Sequence, residues 1–306
     1  MPNTLIAHPS PASRTGRLTR RAILFTAIST QVRAQCAPRA IVALRIVEGF
    51  PVLAATIGDT PVSFLLDTGA QAHLVLPEAQ AALRLQVLPG SVPLFGTGGK
   101  RSAAIVLLAG VRLGPVALDP APTPVAPLPA IPHVTPMLVG LLGAPLLTRF
   151  DLDLDATAGR LGLYEAGTCF PAGSGDTIPL LITPEREALL PVRINGVTLT
   201  ALLDTGSRAT LLSLAAARHL GLDAPISANS ASGIDGEALP VAHLRVREMA
   251  VGDDVLRNAP ISIAPVQLGR ADMLLGLDYL RRRRVWISFV TARLVIGVPS
   301  PAPSGR

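Results

Sequence analysis

The sequence predicts an all-β, or mainly β, protein of two similar lobes. Three observations carry this. Gly and Pro number 27 and 29 among 306 residues, a density that favours turns and short strands over long helices. Short apolar, β-branched runs alternate with turn residues along most of the chain. And the chain repeats itself. Phe64-Leu65-Leu66-Asp67-Thr68-Gly69-Ala70 returns 137 residues later as Ala201-Leu202-Leu203-Asp204-Thr205-Gly206-Ser207. Leu141-Leu142-Gly143 returns 133 residues later as Leu274-Leu275-Gly276. Between these landmarks each half has a glycine turn, Gly96-Thr97-Gly98-Gly99 and then Gly233-Ile234-Asp235-Gly236. Three landmarks in the same order at nearly constant spacing mark a duplication.

Residues 1–34 read as an export signal. Arg20-Arg21 precedes the apolar run Ala22 to Ile28, and Val32-Arg33-Ala34 offers a cleavage site before Gln35. Thr19-Arg20-Arg21-Ala22-Ile23-Leu24 resembles a twin-arginine export motif, departing from it at Ile23 and Phe25. An ordinary secretory signal with a chance Arg pair is the alternative. Either route predicts a periplasmic or extracellular protein. The first lobe is expected over 35–164, a linker over 165–177, the second lobe over 178–298 and a disordered tail over 299–306.

In the first lobe, Ile41 to Ile46, Val52 to Ile57 and Val62 to Leu66 read as strands. In the second, Leu190 to Ile194 and Val197 to Leu203 flank Asn195-Gly196, a strong hairpin signal. After each Asp-Thr-Gly comes a short apolar run, Leu74 to Leu76 or Leu211 to Leu212. A helix is expected next, Pro77 to Leu83 and Leu214 to Leu220, the latter capped by Gly221. Each half closes on a strand pair, Phe150 to Leu154 with Arg160 to Leu163, and Val285 to Phe289 with Arg293 to Ile296. Pro120 to Pro136 reads as an extended surface loop. Trp286 and Phe289 are expected in the second core.

Composition removes several functions. The net charge is +6, but five of the 27 basic residues and none of the 21 acidic ones lie in residues 1–34, leaving +1. A nucleic-acid partner loses its support. No apolar stretch is long enough to span a membrane. The two cysteines, Cys36 and Cys169, are far apart and the histidines scattered, so no metal site is expected; the cysteines are candidates for one disulfide in an oxidising compartment. Asp151-Leu152-Asp153-Leu154-Asp155 lacks the Gly and Glu of a calcium loop and reads as a half-exposed strand. Gly96-Thr97-Gly98-Gly99-Lys100 fails the spacing of a phosphate loop. Arg281 to Arg284 reads as a solvated turn, and His73 as a surface or satisfied histidine.

One Asp-Thr-Gly is weak evidence, since Asp often organises its own turn. Here each Asp ends an apolar strand, where a lone carboxylate is costly, and there is one per half. A pseudo-twofold fold brings Asp67 and Asp204 together. Two such carboxylates share one proton. The charged side can take a proton from water while the protonated side hydrogen-bonds the carbonyl under attack. Gly69 and Gly206 allow a tight turn beside the carboxylates. Thr68 and Thr205 can bond across the dyad. Ser207 has a hydroxyl to offer Asp204 that Ala70 lacks for Asp67.

On these residues the chain resembles the aspartic peptidases, most closely the retropepsin-like bacterial group, with two halves fused as in pepsins. The likeness rests on apolar-apolar-Asp-Thr-Gly-Ala/Ser and the later apolar-apolar-Gly, and covers about residues 40–298. It implies two retropepsin/pepsin-like β-barrel lobes, an active-site cleft and an aspartic endopeptidase with catalytic Asp67 and Asp204. It also implies no cofactor, a peptide or protein substrate, and the two glycine turns as substrate-covering flaps. Neither turn has the Tyr of a single pepsin-type flap, so two flaps of retropepsin kind are expected. Ala144-Pro145 departs from the family after Gly143, whereas Leu277-Asp278 is closer to it. A monomer is favoured, because the dyad is internal. A non-catalytic peptide-binding protein of the same fold, or a protease active only as an intermolecular dimer, are the alternatives.

Overall fold

A computed structural model describes residues 37–96, 99–169, 175–222, 227–232 and 238–297. The first half begins with a meander, Ala40–Val47, Phe50–Ile57 and Thr60–Leu66, paired antiparallel in sequence order. The first strand alternates, with Ala40, Val42 and Leu44 buried and the residues between them exposed. The third is buried from Val62 to Leu66. It lies inside the sheet, because Leu138–Leu142 runs parallel along its other edge, and a strand enclosed on both sides reads as a continuous apolar run. The second half repeats the plan. Ala188–Ile194 and Val197–Leu203 make the hairpin, and Met273–Leu275 runs parallel to the second of them. Asn195 and Gly196 both take positive φ, 52° and 90°, the conformation that a two-residue hairpin turn needs.

Both expected helices are present and short, Pro77–Ala82 and Leu214–His219. The second ends at Leu220, followed by Gly221 at φ 66°. Each half also carries a pair of antiparallel strands that flank its glycine turn in sequence. Val87–Gly96 pairs with Gly99–Leu108, closing at Gly96 opposite Gly99. Ser227–Ser232 pairs with the start of Ala238–Val251. Thr97, Gly98, Gly233, Ile234, Asp235 and Gly236 lie outside the described residues, as do the leader, Cys36 and the tail.

The halves differ in detail. Ala238–Val251 is one continuous strand, whereas its counterpart is split at Gly110 into Gly99–Leu108 and Val111–Leu113. In the second half Leu211–Ser213 runs parallel to Asp254–Ala264; in the first, only a bridge from Val75 to Val125 takes that place. The Pro120 to Pro136 segment is thus not all surface loop. Ala121–Pro124 is a strand against Gly99–Leu108, and Thr123 is buried.

Six strands join the halves in one sheet, in the order Asp176–Pro179, Arg293–Ile296, Arg284–Ser288, Phe150–Asp155, Arg160–Glu165 and Ala40–Val47. The seam is the antiparallel pair of Leu152 with Ile287 and its neighbours. Asp176 and Thr177, expected in the linker, belong to this sheet.

The sheet corrects three expectations. Asp151, Asp153 and Asp155 are all buried, not half-exposed. Their face is covered by Tyr164 and Trp286, whose rings lie 4.6 Å apart, and each carboxylate has a donor. Asp151 accepts from Gly167 N–H at 3.0 Å, Asp153 from Arg284, and Asp155 from Ala158 N–H at 2.9 Å. Trp286 therefore packs on a first-half tyrosine across the seam, while Phe289 joins the main core. The Arg281 to Arg284 run is solvated only at Arg281 and Arg282. Arg283 bonds Asp254 at 2.5 Å, and Arg284 grips Asp153 with two bonds of 2.8 and 2.7 Å. Removing one partner of such a pair strands a buried charge. Arg284→Ala is expected to cost about 1–3 kcal/mol, since the arginine is partly exposed, read as a lower urea midpoint at unchanged slope.

Candidate active site

Each Asp-Thr-Gly lies just past a buried strand, and the strand behind it sets its height. Asp67 N–H donates to Leu142 O at 3.0 Å, and Asp204 N–H to Leu275 O at 3.1 Å. The loops are clamped again one step on. Ala144 N–H donates to Ala70 O, and Leu277 N–H to Ser207 O, both at 2.8 Å. This is the physical work of the apolar-apolar-Gly repeat. A side chain at Gly143 would lie 2.5 Å from the carbonyls of Ala70 and Ala72, and one at Gly276 would lie 2.5 Å from that of Ala209. Only glycine lets the supporting strand come so close.

The two loops are locked through their threonines. Thr68 N–H donates to Thr205 Oγ1 and Thr205 N–H to Thr68 Oγ1, both at 3.0 Å. Each hydroxyl in turn donates to the carbonyl before the opposite aspartate, Thr68 to Leu203 and Thr205 to Leu66, both at 2.7 Å. Both threonines are buried, so every lost bond leaves a group without water. Thr205→Val keeps the shape but orphans Thr68 N–H and Leu66 O. It is expected to cost about 2–5 kcal/mol, with Thr205→Ser recovering most of it, by urea unfolding.

This lock brings Asp67 and Asp204 together, as the sequence predicts. Their carboxyl groups hydrogen-bond to each other. Each also rests on the glycine of the other loop: a Cβ at Gly69 would lie 2.8 Å from Asp204 Cγ, and one at Gly206 would lie 2.5 Å from Asp67 Cγ. Asp67 Oδ1 accepts from Gly69 N–H at 2.9 Å and Ala70 N–H at 3.0 Å. Asp204 Oδ1 accepts from Ser207 N–H at 3.0 Å. Burial holds both carboxyls above the ordinary carboxylate range, and the charge on Asp67 raises Asp204 further. Two like charges this close are costly, which favours a single proton shared across the pair. The sequence suggests that the Ser207 hydroxyl serves Asp204; instead it donates to Ala209 O at 2.8 Å.

Of the residues that tie these loops from behind, sequence reasoning sets His73 aside and misses Thr210. In the second half Thr210 receives Gly276 N–H at 3.3 Å and is itself bonded, through N–H and hydroxyl, to Asp278 Oδ1 at 2.8 Å. The equivalent first-half position, six residues after Asp67, is His73. It is buried, and its Nδ1 accepts Gly143 N–H at 3.1 Å. The repeat spacing, applied to positions 73 and 210, is the signal that finds both. Among the described residues no group of three or more His, Cys, Asp or Glu could hold a metal ion, and no helix is long and apolar enough to cross a membrane.

Two family models match the chain, one in each half. An aspartyl protease family matches residues 53–146, and a family described as "gag-polyprotein putative aspartyl protease" matches residues 190–282. The chain carries two aspartyl protease domains in tandem. Sequence comparison with curated proteins gives no match. Among solved structures, the aspartic proteinase of Irpex lacteus is similar in fold, with a TM-score of 0.52 at 14% identity, over 87% of this chain and 98% of its own. A retropepsin-like aspartic protease of Rickettsia conorii aligns over 40% of this chain and 90% of its own, with a TM-score of 0.33 at 17% identity.

Proposed function

We propose that this chain is an exported aspartic endopeptidase that hydrolyses peptide bonds with water activated between Asp67 and Asp204. The observation that carries the reading is the buried carboxyl pair, both members raised above the ordinary carboxylate range, held by reciprocal threonine bonds and seated on the opposing glycines. The ionised Asp67 takes a proton from the attacking water. Asp204 gives its proton to the carbonyl oxygen, and the tetrahedral intermediate then breaks as a proton returns to the leaving amine. The step needs no cofactor.

The two hairpins, one per half, support a substrate held as an extended peptide. The pair is assembled within one chain, which supports a monomer. The basic pair and apolar run of residues 1–34 support export to the periplasm or beyond.

The test is cleavage of a mixed peptide library by the full-length chain from acid to neutral pH, with a statine-type transition-state mimic as inhibitor. Cleavage that the mimic blocks is the expected result. Binding of the mimic without cleavage of any peptide would favour a peptide-binding protein, and no binding at all would sink the catalytic reading.

A further inference from the structure

The two loops are tied to their supporting turns by different chemistry. In the second half the tie is a hydroxyl backed by a carboxylate, Thr210 with Asp278. In the first half the corresponding residues are His73 and Pro145, and the tie is one bond from Gly143 N–H to His73 Nδ1 at 3.1 Å. An imidazole nitrogen accepts a hydrogen bond only when it carries no proton. A hydroxyl has no such limit at any pH of interest.

The neighbourhood offers a second proton on this ring nothing to offset its charge. Leu138–Leu142 and Ala144–Leu147, which pack behind the loop, contain no titratable side chain. On the loop itself the only one besides His73 is Asp67, whose Oδ1 is engaged by Gly69 and Ala70 N–H. Glu78, on the following helix, is exposed. Arg149, beyond the turn, is paired with Asp119. Burial alone lowers His73, to about 4.

We propose that His73 is a positioning residue which, as the neutral imidazole, holds the Asp67 loop against the turn at Gly143, and that its protonation releases the loop and shuts the site in acid. The proposal rests on the protease reading above and deepens it. The bond to Gly143 lies one residue from Ala144, whose N–H holds Ala70 O. Ala70 N–H in turn holds the Asp67 carboxylate. Losing the first tie loosens the two that follow. The acid limb of the pH profile then contains two proton-binding events, one at the carboxyl pair and one at His73. An ordinary dyad has only the first.

The experiment compares wild type with His73→Asn, whose amide oxygen replaces Nδ1 as an acceptor that does not titrate, and with His73→Leu, which has no acceptor. All are full-length chains. The readouts are kcat/KM against pH and the chemical shift of the Gly143 amide proton against pH. In wild type the Gly143 amide is expected to titrate near pH 4, and at pH 3 the latch is intact in about a tenth of the molecules. H73N is expected to keep, at pH 3, about a tenfold larger share of its own pH 6 rate than wild type does, with a Gly143 amide that no longer moves. H73L is expected to lose about tenfold or more in kcat at every pH, with KM little changed. An H73N acid limb that superimposes on that of wild type overturns the proposal while leaving the protease reading intact. A Gly143 amide indifferent to pH in wild type also overturns it. If wild type cleaves no peptide, the protease reading fails, and the amide titration still decides whether the latch exists.

Discussion

Asp204→Asn is expected to abolish peptide cleavage and, at the same time, to make the protein more stable above neutral pH. The loss of activity follows from the proton. In the proposed mechanism the pair works with one ionised and one protonated member, and an amide at 204 can neither give up nor regain the proton that the carbonyl oxygen requires. A decrease of about a thousandfold or more in kcat/KM is expected. The gain in stability follows from burial. Asp204 is raised from its ordinary 3.8 by burial and by the charge of Asp67. A carboxyl group raised in the folded state contributes its full stability below the unfolded value. It loses that contribution as pH rises through the folded value, because the buried pair must then carry two like charges. An amide avoids this while still accepting from Ser207 N–H and donating to Asp67. The variant should unfold on the order of 1–2 kcal/mol harder than wild type in alkaline buffer, roughly 2–8 °C in the melting temperature, with the difference vanishing below about pH 4. A variant that is inactive but no more stable at high pH would mean that the two carboxyls do not share a proton.

Gly206→Ala is expected to reduce kcat by about a hundredfold or more, with a much smaller loss of stability. The added methyl would stand 2.5 Å from Cγ and Oδ2 of Asp67, closer than real contacts allow. Either the carboxylate or the whole loop must move, and a displacement near 1 Å at reacting groups costs about that much in rate. Gly69→Ala presses on Asp204 in the same way, at 2.8 Å. Gly221→Ala is the control. It sits at positive φ with nothing within 4 Å, so it should lower stability by about 1 kcal/mol and leave cleavage as in wild type. Equal activity in G206A and G221A would show that the opposing glycine does not set the position of Asp67.

Much of this architecture can be read from the residues, because it rests on local patterns. Asn195-Gly196 between two apolar runs can hardly be anything but a hairpin. The two Asp-Thr-Gly repeats, each ending a buried strand, announce both the symmetry and the pair. What escapes is what depends on partners far apart in sequence. Leu152 flanked by aspartates looks like one half of an exposed strand, because alternation reports two faces and not what covers them. The cover comes from Tyr164 and from Trp286, the latter 134 positions away from Leu152. His73 looks like a lone histidine until Gly143, 70 residues on, is seen to donate to it. The hydroxyl of Ser207 finds the carbonyl of Ala209 rather than the carboxylate beside it, a choice between two near neighbours that composition cannot make.

The six-stranded sheet across the seam has a consequence for how such a molecule can change over time. In a homodimer every substitution appears twice, and a residue near the dyad must suit both sides at once. Here the halves are covalently joined and stitched together at Leu152 and Ile287, so a mutation alters one side only. The His73 and Pro145 of the first half, where the second half has Thr210 and Asp278, are a divergence that a symmetric homodimer cannot hold. Dilution cannot separate the two halves either, since one chain carries both.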